Sequence, residues 1–427
     1  MLKLKEELLF FVWQYKLLQP VELFTQSGQA IKIIHPGELN KDSGPDFFNA
    51  KIKIGKLTLA GNIEIHVNAS DWFKHNHQND SMYSNIILHI VYNNDLKKEN
   101  SNTGNFETLE IKKLIDPSLL KKYNSLMSSK SKLPCASNIK NINSLKLQSW
   151  LQRMLIERLE QKTLYIEHLF ELSGNDFSQT FYLTLARSFG FKVNSEPFEN
   201  LARHLPLQIL LKHAGNLFQL EALLFGCAGL LEKAYKEKYL QQLQNEYEFL
   251  KNKYKLKVMN PGVWKFMRLR PANFPSVRLW QFALLIHNSP EIFTTPYHYN
   301  SITKLRKAIR HQPQDYWKNH YYPGDKEQKD ISGIGENSIE NLLINTIAPY
   351  LFFYGKRTAK EQFTEYALEA FDDLQFEENV KTRLFTGSGL KFKNAGESQA
   401  LINLHDKYCK TKRCINCGIA SQLLINS

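Results

Sequence analysis

Ala50-Lys51-Ile52-Lys53-Ile54-Gly55-Lys56-Leu57-Thr58-Leu59-Ala60-Gly61-Asn62-Ile63-Glu64-Ile65-His66-Val67 is the stretch whose reading decides the fold of the N-terminal part. Ala50, Ile52 and Ile54 alternate with lysines. Gly55-Lys56 supplies a turn. Leu57 and Leu59, then Ile63, Ile65 and Val67, resume the alternation in one phase. A period of two on both sides of a Gly-containing turn predicts a β-hairpin with one face on a core.

Working outward, Leu8 to Leu18 reads as a short amphipathic helix and Ile31 to Ile34 as a short β-rich run. Ser70 to Ser84 is polar and aromatic, a helix or loop capped by Ser70 or Asp71. Ile86 to Tyr92 is a nearly continuous apolar run, as expected of a buried strand. Past residue 140 the pattern turns helical: Leu145, Leu147, Trp150, Leu151, Met154, Leu155 and Leu159 form one apolar face. Further helical segments are expected around 177–190, 198–213, 217–231, 234–252, 276–287, 338–353, 359–371 and 396–409. The expected class is α+β, with an α/β domain over 1–120, a Ser-, Lys- and Asn-rich linker over 121–143, an all-α domain over 144–394 and a Cys/His segment over 395–427.

The chain has 427 residues, enough for two or three domains. Lys and Arg number 55 against 42 Asp and Glu, and the net charge of +13 makes a polyanion, nucleic acid first, the expected partner. With 43% hydrophobic residues, wholesale disorder is excluded. The apolar run Ile347 to Tyr354, broken by Pro349, is far short of a membrane span. Lys3, Lys5, Glu6 and Glu7 interrupt the first apolar residues, which does not fit a signal peptide, so a cytoplasmic location is expected.

Asp46, after Pro45, starts the first strand of the hairpin; Glu64 and His66, two apart on the second, share a face. A strict two-residue turn at Gly55-Lys56 sets Asp46 opposite Ile65 and so puts Asp46 and Glu64 on opposite faces. A three-residue loop, or a bulge near Gly61, brings them together. The competing reading makes Asp46 a turn residue in Ser43-Gly44-Pro45-Asp46 and leaves Glu64 and His66 on a solvated face. The polar residues Asn40, Asp42, Asn62, Asp71, Trp72, His75, His77 and Asp80 crowd the same unit and favour a site, which His75 and His77 could extend.

The order helix, strand, strand with Pro-Asp, strand with Glu-x-His, helix or loop, strand resembles the PD-(D/E)XK nuclease superfamily, built on an αβββαβ core. The resemblance implies that Asp46 and Glu64 bind Mg²⁺ or Mn²⁺. His66 stands where that superfamily carries lysine, and would orient or deprotonate the attacking water.

A second constellation lies at the C-terminus. His405 and Cys409 are four apart, and Cys414-Ile415-Asn416-Cys417 is a C-x-x-C turn. These four donors suit tetrahedral Zn²⁺, with an iron–sulfur arrangement as the competing metal reading. Cys135 and Cys227 are read as bystanders. Lys265 to Arg278 holds Arg268, Arg270 and Arg278 with Phe266 and Phe274 interleaved and no acid, as suits nucleic-acid backbone contacts; pairing with acids elsewhere is the competing reading. Lys304 to Arg310 is a second basic helix face.

Pro36-Gly37-Glu38-Leu39-Asn40, Gly44-Pro45-Asp46-Phe47, Gly61-Asn62-Ile63-Glu64-Ile65-His66, Asp71-Trp72, His75-Asn76-His77, Leu269-Arg270-Pro271-Ala272-Asn273-Phe274-Pro275 and the terminal cysteines together resemble the bacterial domain-of-unknown-function family 2851. That resemblance implies no activity. The expected function is metal-dependent phosphodiester cleavage, or nucleic-acid binding on the same scaffold. The alternative is a non-enzymatic adaptor whose helical domain binds a protein partner.

Overall fold

The computed structural model describes residues 4–96, 106–294 and 302–425. The protein is mixed α+β, an N-terminal sheet being followed by a mostly helical part. The chain divides into two units: Met1–Trp150 with Arg383–Leu390 and Leu404–Ser427, and Leu151–Thr382 with Lys391–Asn403.

In the first unit, helix α1 (Glu6–Gln14) precedes strands β1 (Leu23–Phe24), β2 (Ala30–His35), β3 (Glu38–Leu39), β4 (Phe47–Ile54) and β5 (Leu57–Asn68). A short helix α2 (Asp71–Lys74), strands β6 (Ile86–Asn93) and β7 (Glu107–Glu110), and helix α3 (Pro117–Ser128) follow. The sheet runs β1-β2-β4-β5-β6-β7, with β3 beside β4. Pairing is antiparallel through β5, and then parallel for β5–β6 and β6–β7.

Glu6 and Glu7 occupy the first turn of α1, where negative charge complements the helix dipole. Leu8, Leu9, Phe11, Val12 and Trp13 are buried. Phe10 meets the Phe47 ring edge-on at 6.2 Å, and the Trp13 indole donates to the Pro36 carbonyl at 2.9 Å. The helix stops short of Leu18, where Lys16 adopts a left-handed conformation (φ 52°).

The hairpin pairs Ile54 with Leu57 and keeps strict register to Ala50 opposite Gly61. It then slips, and Phe47 faces Ile63. Phe48 and Asn49 together oppose Asn62, a β-bulge, with Asn49 at φ 56°, a region asparagine tolerates. Phe47 therefore shares the face of Ile63 and Ile65, and Asp46 comes opposite Glu64. A Cβ on Gly61 would fall 2.5 Å from Ile87 Cγ2 and 2.7 Å from the Asn85 carbonyl, so glycine here permits the close approach of β5 to β6.

Parallel β5 and β6 require a crossover. Residues 69–85 supply it as α2 and two 3₁₀ turns, His77–Asn79 and Ser81–Tyr83. Asp80 caps the second turn by accepting from Met82 N at 2.9 Å. Trp72 is buried beneath it.

The 121–143 stretch, expected as a linker, is packed structure. Asp116 caps α3 by accepting from Ser118 N (2.7 Å), and Leu119, Tyr123, Leu126, Leu133, Cys135 and Ile139 are buried. Its polar composition conceals a sparse apolar set. The tail helix Gly418–Ile425 packs on α3 and on the 3₁₀ turn Ile139–Asn141, and Lys412 donates to the Met127 carbonyl at 2.9 Å. The tail thus belongs to the first unit.

Helix α4 (Ser144–Leu172) leads into the second unit, whose core is rich in buried aromatics such as Phe181, Tyr182, Trp280, Phe282, Phe293 and Tyr350. The expected helix over 198–213 is two, Ser195–His204 and Leu207–Lys212, separated at Pro206. A π turn at Leu343–Ile347 precedes Pro349, which lacks the N–H an α-helix needs. This unit is not wholly helical: His320–Tyr322 pairs with Asp325–Lys326 around Gly324 (φ 84°), a Pro-Gly-Asp turn that the helical reading overlooked.

Glu221 is buried here and accepts from the Tyr239 hydroxyl; burial pushes its carboxyl up to about 7. A carboxyl raised on folding contributes stability below its unfolded value, and that contribution is lost as pH rises through the folded one. Glu221→Gln is therefore expected to raise stability at pH 8 by roughly 2–3 kcal/mol relative to pH 4. Chemical denaturation across that range reads the change; a constant offset would contradict it.

Candidate metal centre

The loop before β4 is pinned from within. The Asn40 side-chain amide donates to the carbonyls of Asp42 (3.1 Å), Ser43 (3.1 Å) and Pro45 (3.0 Å), and Asn40 N donates to the Asp46 carbonyl (2.8 Å). With Asp46 so placed, the bulge completes a reciprocal link. Asp46 N donates to Glu64 Oε2 (3.1 Å), and Ile65 N donates to Asp46 Oδ2 (2.8 Å).

The other oxygen of Glu64 faces imidazoles. Oε1 is 3.3 Å from His77 Nε2 and 3.5 Å from His66 Nε2. His66 Nε2 is in turn 3.2 Å from His75 Nδ1, and His66 Nδ1 shares a 2.9 Å hydrogen bond with His89 Nε2. β5 supplies Glu64 and His66, β6 supplies His89 in register with Glu64, and the crossover supplies His75 and His77. Tyr83 stacks on His77 at 3.9 Å, and Trp72 lies against both His77 and His89. Glu64, His66 and His89 are buried (4%, 1% and 0% exposed), whereas His75 is exposed, so the cluster opens on the crossover side.

Burial raises the Glu64 carboxyl well above its ordinary range, and the neighbouring Asp46 adds to the rise. Asp46 is raised by burial against the opposing Ile65 hydrogen bond. Burial, then the surrounding imidazoles, pushes His66 down to about 2; burial brings His89 down to about 3 and lowers His77. The downward shifts favour neutral His66, His77 and His89, the form in which a ring nitrogen offers a lone pair to a metal.

Metal–ligand bonds of about 2.0–2.1 Å in tetrahedral array put neighbouring donors about 3.3–3.4 Å apart; the Glu64–His66, Glu64–His77 and His66–His75 separations are 3.5, 3.3 and 3.2 Å. His66, His75 and His77 donors lie within 4.8 Å of one another. His89 then stands behind His66, as a partner that fixes a ligand's tautomer does. Of the residues read from the sequence as metal ligands, Asp46 donates its backbone N–H to Glu64 and accepts from Ile65 N at Oδ2, and His75 and His77 stand beside Glu64 and His66. His89 was hidden in the apolar run Ile86 to Tyr92; its signal was a lone polar residue in phase with the polar face of β5.

Arg268 and Arg270 are exposed on a loop of the second unit. Arg278 is buried in helix Pro275–Asn288; it donates to Gln281 (2.8 Å), Asn273 (2.6 Å) and Ser338 (3.1 Å) and stacks on Phe191, so it cannot reach a nucleic acid. Truncating it leaves three partners unsatisfied, and Arg278→Ala is expected to cost about 3 kcal/mol in a denaturant melt while leaving any nucleic-acid affinity unchanged. In the 304–310 stretch, Arg306 pairs with Glu336 and Glu340, and Arg310 with Glu336.

His405 pairs with Asp406 (3.1 Å) at the start of a π turn, His405–Cys409. Cys409, Cys414 and Cys417 are buried in the first unit.

The family described as Protein of unknown function (DUF2851) matches residues 6–380. No curated protein and no solved structure matches the chain.

Proposed function

Because the chain belongs to the DUF2851 family of proteins of unknown function, we propose its activity from the site itself: the N-terminal unit is a metal-dependent phosphodiesterase of nuclease type. The observation that carries the reading is the bulge at Asn49, which brings Asp46 and Glu64 face to face with His66 beside them. With the two-residue strands β1 and β3 set aside, helix α1 is followed by β2, β4 and β5, the crossover and parallel β6, an order similar to the αβββαβ core of the PD-(D/E)XK nucleases. An excess of positive charge suits a polyanionic substrate.

Glu64, His66, His75 and His77 would hold the ion. An imidazole-rich set favours Mn²⁺ or Zn²⁺ over the Mg²⁺ that all-oxygen ligands suit. Such an ion lowers the pKa of bound water and stabilises charge on a phosphate. Asp46 orients Glu64, and His89 orients His66. His75, on the exposed side, sits where substrate would arrive. Arg268 and Arg270 remain candidates for backbone contacts; losing one such contact should reduce the salt slope of binding by about 1.

The test is cleavage of single- and double-stranded DNA and of RNA by the full chain with Mn²⁺, Zn²⁺ or Mg²⁺. Cleavage that needs the ion is expected. Absence of cleavage and of low-salt binding for every form overturns the reading. A second reading follows if Glu64 joins His66, His75 and His77 on one ion: four protein donors would leave a tetrahedral ion no open position, making the metal structural and the protein a non-enzymatic adaptor. Stoichiometric metal without cleavage is its signature.

A further inference from the structure

Between helices Lys238–Tyr254 and Pro275–Asn288 of the second unit runs a loop, residues 255–274, that is pinned along its length. Met259 N donates to the Cys227 carbonyl (2.8 Å), and the buried Trp264 indole donates to the Ala228 carbonyl (2.9 Å). The Asn194 side chain, 2% exposed, clamps Lys265 by both backbone groups: Lys265 N donates to Oδ1, and Nδ2 donates to Lys265 O, each at 2.9 Å. Phe266 meets the Phe274 and Tyr322 rings edge-on at 5.3 Å, and Arg278 holds Asn273.

From this base one tight turn projects. Leu269 N donates to the Phe266 carbonyl (3.2 Å), which leaves Met267 and Arg268 at the tip. Arg268 has φ 63° and stands third in a turn that ordinarily carries glycine or asparagine there. An arginine in that place is strained, and such strain persists only where the surrounding structure over-determines it. Met267 is 84% exposed, the highest value among the large hydrophobic side chains of the described residues. Lys255, Lys257, Lys265, Arg268 and Arg270 are exposed, and residues 255–274 hold no acid. Among the described residues none of these five cations has an ion-pair partner. The segment around the Asn194 clamp adds Lys192 and Glu196, of opposite sign.

The tip has the chemistry of a wedge for duplex DNA. Apolar side chains flanked by arginine and lysine enter base steps from the minor groove, unstack them and kink the duplex. Two other anionic occupants fit less well. Single strands are held by bases stacking on open aromatic faces. Here Phe266 and Phe274 are half-buried against each other and Trp264 is buried. The two phenylalanines expected to interleave with the cations thus build the base of the loop. An anionic membrane would gain one methionine, too little apolar area for an anchor.

We propose that the Phe266–Leu269 turn is a DNA-bending wedge: Met267 enters a deformable base step of double-stranded DNA, and Arg268 and Arg270 hold the flanking phosphates. The proposal rests on the nucleic-acid half of the reading above and narrows its substrate to duplex DNA; it does not depend on hydrolysis.

The test titrates the full chain, without added metal, into end-labelled duplexes of about 20 base pairs with a central TA step or a central A-tract, and into one single strand. TA steps kink readily and A-tracts are stiff. Fluorescence anisotropy reads affinity, end-to-end energy transfer reads bending, and a gel run afterwards confirms intact DNA. Wild type is expected to bind the TA duplex at least tenfold tighter than the A-tract duplex and to shorten its end-to-end distance. Met267→Ser should lose both the preference and the shortening. Arg268→Gly, which suits the left-handed backbone, should keep the fold and lower the salt slope for both duplexes by about 1. Equal affinity of wild type and Met267→Ser for the TA duplex overturns the wedge, as does tighter binding of the single strand. So does association with phosphatidylglycerol vesicles that Met267→Ser abolishes in a protein that binds no duplex. Metal-dependent cleavage with no effect of Met267→Ser on binding sinks the wedge alone; bending without cleavage under any metal sinks the hydrolase alone.

Discussion

Glu64→Gln is expected to weaken Mn²⁺ binding by more than about 100-fold, beyond the 10–100-fold typical of losing an outer-shell partner, and to abolish metal-dependent cleavage. Glutamine has nearly the same shape. Its carbonyl oxygen can still accept from Asp46 N, so the bulged pairing need not change. What disappears is a carboxyl able to give up its proton to a metal ion, whose Oε1 lies 3.5 and 3.3 Å from His66 and His77. The same change removes a buried carboxyl that Asp46 repels. The metal-free variant should therefore melt a few degrees above metal-free wild type, a trade of function for stability. Added Mn²⁺ should raise the melting temperature of wild type and leave the variant where it was. Calorimetric titration and thermal melts with and without Mn²⁺ measure both halves. Equal Mn²⁺ affinity in the two proteins would remove Glu64 from the ligand set.

The second large effect is expected at Asn49, which touches no proposed ligand. A β-branched residue in the left-handed region costs upwards of about 1–2 kcal/mol, so Asn49→Ile should push the hairpin towards a regular ladder. In that ladder Asp46 faces Ile65 and its carboxylate leaves the Glu64 side of the sheet. Asn49→Ile is expected to lose about 2 kcal/mol of stability and about tenfold in Mn²⁺ affinity, with Asn49→Gly near wild type. Deleting Asn49 should be milder than replacing it by isoleucine. Without the extra residue, Phe48 faces Asn62, and both the Ala50–Gly61 and Phe47–Ile63 pairs survive. Denaturant melts and metal titrations of the three variants give the ranking; a deletion worse than Asn49→Ile in both would mean that the bulge serves something other than register.

These two positions also show where the sequence was legible. The lysine alternation located β4, β5 and their turn, and the apolar run located β6, because period-two burial is a local property. Asp46, Glu64 and His66 stood out as polar residues in or beside those strands. The slip was foreseeable as a need, since regular pairing separates Asp46 from Glu64. Of the two ways open to the sequence, a three-residue loop or a bulge near Gly61, the protein uses the second, with the extra residue on β4 beside the Ala50–Gly61 pair. An asparagine is common in turns, loops and strands alike, and only the tertiary demand to bury Phe47 beside Ile63 selects its left-handed form. His89 stays hidden for a similar reason, because it gains meaning only from His66, a partner distant in sequence. Arg278 misled in the opposite direction: a basic stretch without acids looks solvent-facing, although neutral Asn273, Gln281 and Ser338 satisfy the guanidinium indoors.

The tail's membership in the first unit has a consequence for synthesis. The residues that complete this unit, Leu404–Ser427, leave the ribosome after the whole of the helical unit. The sheet can assemble early, but the surface of α3 and the turn at Ile139–Asn141 stay bare until the tail arrives. Domains generally fold in order of emergence, at about 5–20 residues per second. Here the order is nested: the helical unit, although encoded in the middle, is the first that can finish, and the N-terminal unit waits for the last stretch of chain. A nascent chain halted before residue 404 would carry an exposed apolar seam, including Cys135, and would be a natural client for chaperones.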